Sequence, residues 1–270
     1  MTEKLNNSVV NEAKNGGSKA LEKLINHIQD SVHRLSIRMV LDPNQAMDAT
    51  QEILILVITK LSTFEFKSSF ETWVYRVAVN YLLTARKAAS KHAGLTFDVF
   101  ALDLENGLID DNIVSAEDHL LLNELRITCT MAMLLCLDKH HRMAYILGEI
   151  LEFDQAEAIE VLDISKNSYR KRLSRARKEV IAFTSKSCGL ASKNAQCRCS
   201  KRLPQALNLG RIPTQPNLLF NDAPTYKQIR NEALRTEAAL VASKLQRATG
   251  ALRSPRDMAE IVMHILEPPR

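Results

Sequence analysis

Residues 153–180 read FDQAEAIEVLDISKNSYRKRLSRARKEV. Asp154 with Glu157 three residues on has the form of a capping box, so a short helix carrying Ala158, Val161 and Leu162 is predicted to start here. Asp163-Ile164 makes a tight connection, and Ser165 is a good N-cap for the helix that follows. In that second helix Tyr169, Leu173, Ala176 and Val180 recur at i, i+4, i+7 and i+11, a narrow buried seam. Lys166, Arg170, Lys171, Arg177 and Lys178 cover the rest, with Asn167, Ser168 and Ser174 as neutral hydrogen-bonding residues. A short helix, a three-residue turn and a basic helix with a thin core stripe make the helix-turn-helix plan. The second helix of such a unit lies in the major groove, its N-terminal residues at base edges and its flanking cations on phosphates. A solvated basic helix on an αα-hairpin would share the pattern. The paired caps, the short turn and the one-sided charge favour DNA.

Working outward, the 270 residues suffice for one or two domains with real cores. A hydrophobic fraction of 46% and a charged fraction of 25% are those of a soluble globular chain. The net charge of +5 is modest, but it is segregated. Residues 98–124 hold eight acids and no Lys or Arg, whereas residues 165–202 hold twelve Lys or Arg against the single acid Glu179. That separation suggests a polyanion partner for one part of the chain. The N-terminus MTEKLNNSVV lacks the apolar stretch of a signal peptide, and the strongest apolar run, residues 53–58, is too short to span a bilayer. Five unevenly spaced cysteines do not form a secreted disulfide pattern, so a reducing, cytoplasmic setting is expected. Of eight prolines only Pro43 precedes residue 204, which suits a mostly helical body. The fold class is read as all-α.

Along the chain, residues 1–18 are polar and read as a frayed start. A helix follows with Leu21, Leu24, Ile25, Ile28, Val32 and Leu35 on one face, broken at Asp42-Pro43. The next helix begins near Asn44, and its Asp48, Gln51 and Glu52 fall together on one patch. Alone, that patch also suits an acidic helix start favoured by the dipole. Residues 68–87, SSFETWVYRVAVNYLLTARK, open with Ser68 and Glu71 in capping-box spacing and then place Phe70, Val74, Val77, Tyr81 and Ala85 on one face. Six of the fourteen aromatics of the chain fall in residues 64–81. Trp73 and its aromatic neighbours, beside Arg76, Asn80, Arg86 and Lys87, could stack on unpaired bases, or they could pack a core.

Residues 93–119 read as an acidic linker. Helical patterning returns from Leu120 and ends near Leu137; Cys129 and Cys136 lie there among Leu, Met and Ala and read as core. Past residue 186 comes KSCGLASKNAQCRCSKR, with Cys188, Cys197 and Cys199 in a C-x8-C-x-C spacing. Three thiolates can hold zinc or copper, or sense oxidants, if a fourth ligand comes from elsewhere; equally they can simply pack. One helix over about residues 225–247 and another from Ser254-Pro255 are predicted to close the chain.

Together these segments resemble an extracytoplasmic-function sigma factor, the two-domain class that directs bacterial RNA polymerase to promoters. The resemblance covers roughly residues 20–185. It rests on Asp42-Pro43, on D48-A-T-Q51-E52 and SSFETWVYRVAVN in the first half, and on R142-M-A-Y-I-L-G-E149 and DISKNSYRKRLSRARK in the second. It implies a first domain over residues 19–92, the acidic linker, a second domain over residues 120–185 and an extension over residues 186–270. It further implies that Asp48, Gln51 and Glu52 dock on the clamp helices of the polymerase β′ subunit. Trp73, Arg76, Asn80, Arg86 and Lys87 would capture the melting minus-ten element. Ser165, Lys166, Asn167, Ser168, Arg170, Lys171, Ser174 and Arg177 would read the minus-thirty-five element, with the β flap as a further polymerase contact and an anti-sigma factor as a further partner. No membrane contact and no covalent chemistry are expected of such a subunit. The cysteine extension resembles one seen after the second domain in some members. Thr84, Asp163, Leu56 and Ile58 depart from the family pattern, which bears on polymerase affinity and promoter sequence rather than on fold. A free-standing helix-turn-helix regulator and a metal- or redox-responsive regulator gated by the cysteine tail stay open as alternatives.

Overall fold

The computed structural model describes residues 5–84, 94–108, 118–214 and 222–266, and among these every regular element is helical. The helices are α1 (Asn7–Lys14), α2 (Ser18–Val40), α3 (Pro43–Thr59), α4 (Phe70–Thr84), α5 (Phe97–Glu105), α6 (Asp118–Leu135) and α7 (Lys139–Tyr145). A π turn over Ile146–Ile150 extends α7, and α8 (Gln155–Leu162), α9 (Lys166–Ser187), α10 (Cys199–Asn208), α11 (Tyr226–Leu234), α12 (Ala238–Arg247) and α13 (Met258–Leu266) follow. Two compact units result. One gathers Met1–Lys91, Asp154–Lys166 and Leu252–Arg270; the other gathers His92–Phe153 and Asn167–Ala251.

In the first unit α2 and α3 pack side by side, burying Leu24, Ile25, Ile28, Val32 and Leu35 against Ile53, Leu54 and Val57. Asp42 caps α3 by accepting from the Gln45 amide at 3.0 Å, and Pro43 occupies the first turn, where its missing N–H costs nothing. The polar start is not frayed: α1 packs on α2 through buried Val10 and Ala13, capped by Asn6. Two buried apolar residues suffice, because α2 offers them a surface.

The start of α4 differs from the sequence expectation. Ser69, not Ser68, caps it, its Oγ accepting from the Thr72 amide at 3.0 Å. Glu71 turns instead to His27, its Oε1 lying 2.9 Å from Nε2. The buried stripe of α4 is Phe70, Val74, Ala78 and Leu82 with Val79, while Val77 and Tyr81 are only half-buried. Apolar residues are so dense here that two overlapping stripes fit the pattern, and packing on α2, α3 and α8 selects one. On α8 both halves of the anticipated capping box are made: Glu157 N–H donates to Asp154 at 2.8 Å and Asp154 N–H to Glu157 at 3.2 Å. Helix α13 packs on α2 and α3 with Met258, Ala259 and Val262 buried. Asp257 caps it rather than Ser254, accepting from the Ala259 amide at 2.9 Å. Gln29 and Asp30 of α2 accept from the amides of Met258 and Ser254.

In the second unit α6 is the central helix, contacted by α7, α10, α11 and α12. Within the stretch read as an acidic linker, α5 is a packed helix: Phe97 and Phe100 lie 5.1 and 5.3 Å from Phe183 of α9. The buried Arg202 fixes it from a distance, donating to Asp103 at 2.8 Å and to the Asn106 carbonyl at 2.7 Å. Instead of one helix over residues 225–247, α11 and α12 are separate, because the chain is interrupted at Arg235–Glu237.

The α8–α9 connection turns at Asp163, with φ 49° in the left-handed region. A non-glycine residue there costs about 1 kcal/mol, and a short polar side chain keeps that cost low. Asp163→Gly is therefore expected to raise the urea midpoint by an amount equivalent to about 0.5 kcal/mol or more, and Asp163→Val to lower it. Equal midpoints for the two variants would contradict this account of the turn.

Candidate nucleic-acid interface

On α3, Asp48 and Glu52 are exposed and Gln51 is half-buried, with Asp48 one turn before the Gln51–Glu52 pair and Ala49 and Ile53 buried beside them. Tyr81 of α4 lies beside them: burial first, then the negative charges of Glu52 and Asp48, pushes its hydroxyl above the ordinary range. The two helices thus present their polar residues at adjoining positions.

The aromatics after α3 divide by role. Phe64 is buried and its ring centroid lies 4.7 Å from Phe66, 5.7 Å from Phe70 and 5.5 Å from Trp73. Trp73 also stacks on Phe70 at 6.0 Å, so it is a half-buried member of a packed cluster. Burial raises the hydroxyl of Tyr75, which sits near Arg34 and Arg38 of α2. Asn80 is exposed at the outer face of α4. Arg76 donates through Nε to the Glu160 carbonyl of α8 at 3.1 Å, and its Nη2 faces the Glu160 carboxylate at 3.4 Å. Arg86 and Lys87 lie outside the described residues.

On α9 the seam behaves as its spacing predicts: Tyr169, Leu173, Ala176 and Val180 are buried. Ser165, Lys166, Asn167, Arg170, Lys171 and Ser174 are exposed and Ser168 is half-buried. Arg177 is exposed too, but it is tied down, its Nε donating to Glu149 at 2.6 Å. Arg175 is exposed as well and was not singled out in the sequence. Its signal was there: it follows Lys171 by four residues and so shares its face.

The cysteine tail folds against α6. Cys188 follows α9, Cys199 begins α10 and Cys197 lies just before it, while Cys129 comes from the middle of α6. All four line one cavity of about 30 Å³, together with Arg126, Arg202 and apolar side chains that include Phe100 and Met133. Burial pushes the Cys129 thiol up to about 12 and the Cys197 thiol up to about 11, and it raises Cys188 and Cys199 in the same direction. Among the described residues, no three His, Cys, Asp or Glu groups already stand at metal-ligand spacing.

Comparison with known proteins adds the family context. Residues 24–92 match the model of Sigma-70 region 2. The chain is 27% identical over 172 residues to the ECF RNA polymerase sigma factor SigW of Bacillus subtilis, covering 62% of this chain and 90% of that protein. It is 29% identical over 187 residues to the ECF RNA polymerase sigma-E factor of Escherichia coli, covering 67% and 95%. A solved structure of CnrH in complex with the cytosolic domain of CnrY aligns at a TM-score of 0.46 with 17% identity, over 65% of this chain and 94% of that one.

Proposed function

The chain belongs to the extracytoplasmic-function sigma factors, and on that premise we propose how its surfaces divide the work of promoter-specific transcription initiation. Asp48, Gln51 and Glu52 dock on the β′ clamp helices of core RNA polymerase. Asn80, with Trp73, Arg76, Arg86 and Lys87 around it, meets the minus-ten element as it melts. The face of α9 carrying Ser165, Lys166, Asn167, Ser168, Arg170, Lys171 and Ser174, extended by Arg175, reads the minus-thirty-five element as duplex, with the β flap beside it and Arg177 in a supporting role. Its work is recognition: binding free energy offsets the few kcal/mol that each unpaired base costs, and the polymerase core makes the RNA. It acts in the cytoplasm, where polymerase is, and no helix among the described residues is long and apolar enough to cross a membrane. An anti-sigma factor that covers these same surfaces is the expected means of control.

The observation that carries this reading is α9 itself, a helix with a narrow buried seam and a broad exposed face of cations, hydroxyls and an amide. Run-off transcription with purified core polymerase tests it. The chain restores initiation at its own promoters, and Lys171→Ala/Arg175→Ala weakens promoter capture by about tenfold with a salt slope smaller by about 2. Asn80→Ala slows open-complex formation while leaving minus-thirty-five duplex binding as it was. Tight operator binding without polymerase, with no effect on initiation, would instead indicate a free-standing regulator.

A further inference from the structure

We infer that Cys129, Cys188, Cys197 and Cys199 together form a four-thiolate site for one thiophilic divalent cation of the zinc class. The spacing in the tail supplies three sulfurs, and the fold brings a fourth from α6, about sixty residues earlier in the chain, to the same cavity. Four sulfurs are the full set for a closed structural zinc site, so the missing ligand of the C-x8-C-x-C run is found.

The lining residues agree with this occupant. The cavity of about 30 Å³ has room for a single ion or water-sized particle and little more. Arg126 lines it at 2% exposure, and its Nη1 has no hydrogen-bond partner among the described residues. Its other nitrogens are used, Nε and Nη2 donating to Asn123 and Nη2 also to the carbonyls of Pro224 and Ala248. A buried guanidinium with an idle donor is costly unless negative charge comes to it. Binding supplies that charge: M²⁺ plus four R–SH gives [M(SR)₄]²⁻ plus four H⁺, and the dianion lies beside Arg126 and Arg202. Among the described residues the sulfurs share the cavity but do not stand at ligand spacing, so binding requires them to close to metal–sulfur distances of about 2.3 Å.

Between them the four cysteines touch three apolar clusters, and Cys129 bridges two of these. Cys129 touches those of Leu125 and of Met133, Cys199 the first, Cys197 the second, and Cys188 the cluster of Ile229 and Leu245. One ion would staple α6, the end of α9, α10 and the α11–α12 pair. This inference does not rest on the promoter reading.

Cobalt(II) titration of the reduced full-length chain tests it, with absorption and proton release followed together. One equivalent binds with tetrahedral d–d bands, charge-transfer intensity for four thiolates and about four protons released. Cys129→Ser binds about tenfold more weakly with three-thiolate intensity, whereas Cys136→Ser, whose sulfur does not line the cavity, behaves like the native chain. Three protons and three-thiolate intensity in the native chain, no binding, or native affinity in a folded Cys129→Ser chain would each overturn the inference. If Cys129→Ser does not fold, the proton count and intensity of the native chain decide alone.

Discussion

The double charge reversal Asp48→Lys/Glu52→Lys is expected to weaken binding to core RNA polymerase by about 100-fold, close to 3 kcal/mol. Both side chains are exposed on α3, one helical turn apart, and both backbones lie beside fully packed neighbours. Their replacement therefore leaves the fold alone, and the melting temperature serves as the control. Placing like charge against a partner costs more than deleting a favourable pair, so reversal separates docking from stability better than Ala substitution does. Tyr81 offers an internal check. Removing the two carboxylates that raise its hydroxyl lowers its titration midpoint, which absorbance reports without any polymerase present. A reversed chain that bound core polymerase as the native one does would remove Asp48 and Glu52 from the interface.

The second large effect concerns acid. His33 is 3% exposed between α2 and α3, its Nδ1 3.1 Å from Thr50 Oγ1. Thr50 donates its own proton to the Ala46 carbonyl at 2.6 Å, so His33 Nδ1 is the donor of the pair. Burial lowers its pKa from 6.5 to about 4, with the charge of Asp30 opposing the shift. The unfolded chain takes up a proton at 6.5 and the folded chain only near 4, so the folded state is favoured in full above 6.5. Stability then declines as pH falls through that window and levels off below it. Between pH 7 and pH 5 the expected loss is about 2 kcal/mol. Urea unfolding at the two pH values measures it, with His33→Gln as the comparison. Gln keeps a donor for Thr50 but cannot titrate, so its stability should be nearly flat across the same interval. An equally steep decline in the Gln chain would place the acid sensitivity elsewhere.

Local chemistry made much of this molecule legible before its fold was seen. The capping box of Asp154 and Glu157, the seam of α9, and Asp42-Pro43 at the head of α3 involve residues within a few positions of one another. The first two formed as written, and Asp42-Pro43, read as a helix break, also caps and opens α3. Errors arose where distant chain decides. Phe97–Glu105 looked like linker because acid masked its stripe, and the arginine that pins Asp103 lies 99 residues on. Ser68 was one residue early as a cap because His27, in α2, claims Glu71. Cys129, read as core among Leu, Met and Ala, does pack among apolar side chains, but nothing near it in sequence pointed to the three tail cysteines that line the same cavity. At the proposed interface, the exposure of Asp48, Glu52, Asn80 and Lys171 followed from pattern, whereas the ties of Arg76 to Glu160 and Arg177 to Glu149 did not.

The order in which the chain is made gives the docking of α13 a further consequence. The unit that holds α1 to α4 takes its last piece from residue 252 onward. At about 5–20 residues per second, the ribosome needs roughly ten to thirty seconds to pass from the end of α4 to α13. During that time the α2–α3 surface that will receive Met258 and Val262 stands bare, and the amide acceptors of Gln29 and Asp30 face water. The half of the protein that is synthesised first is thus the half that finishes last. A chain released early would leave the ribosome carrying an uncovered apolar strip, open to chaperones and proteases.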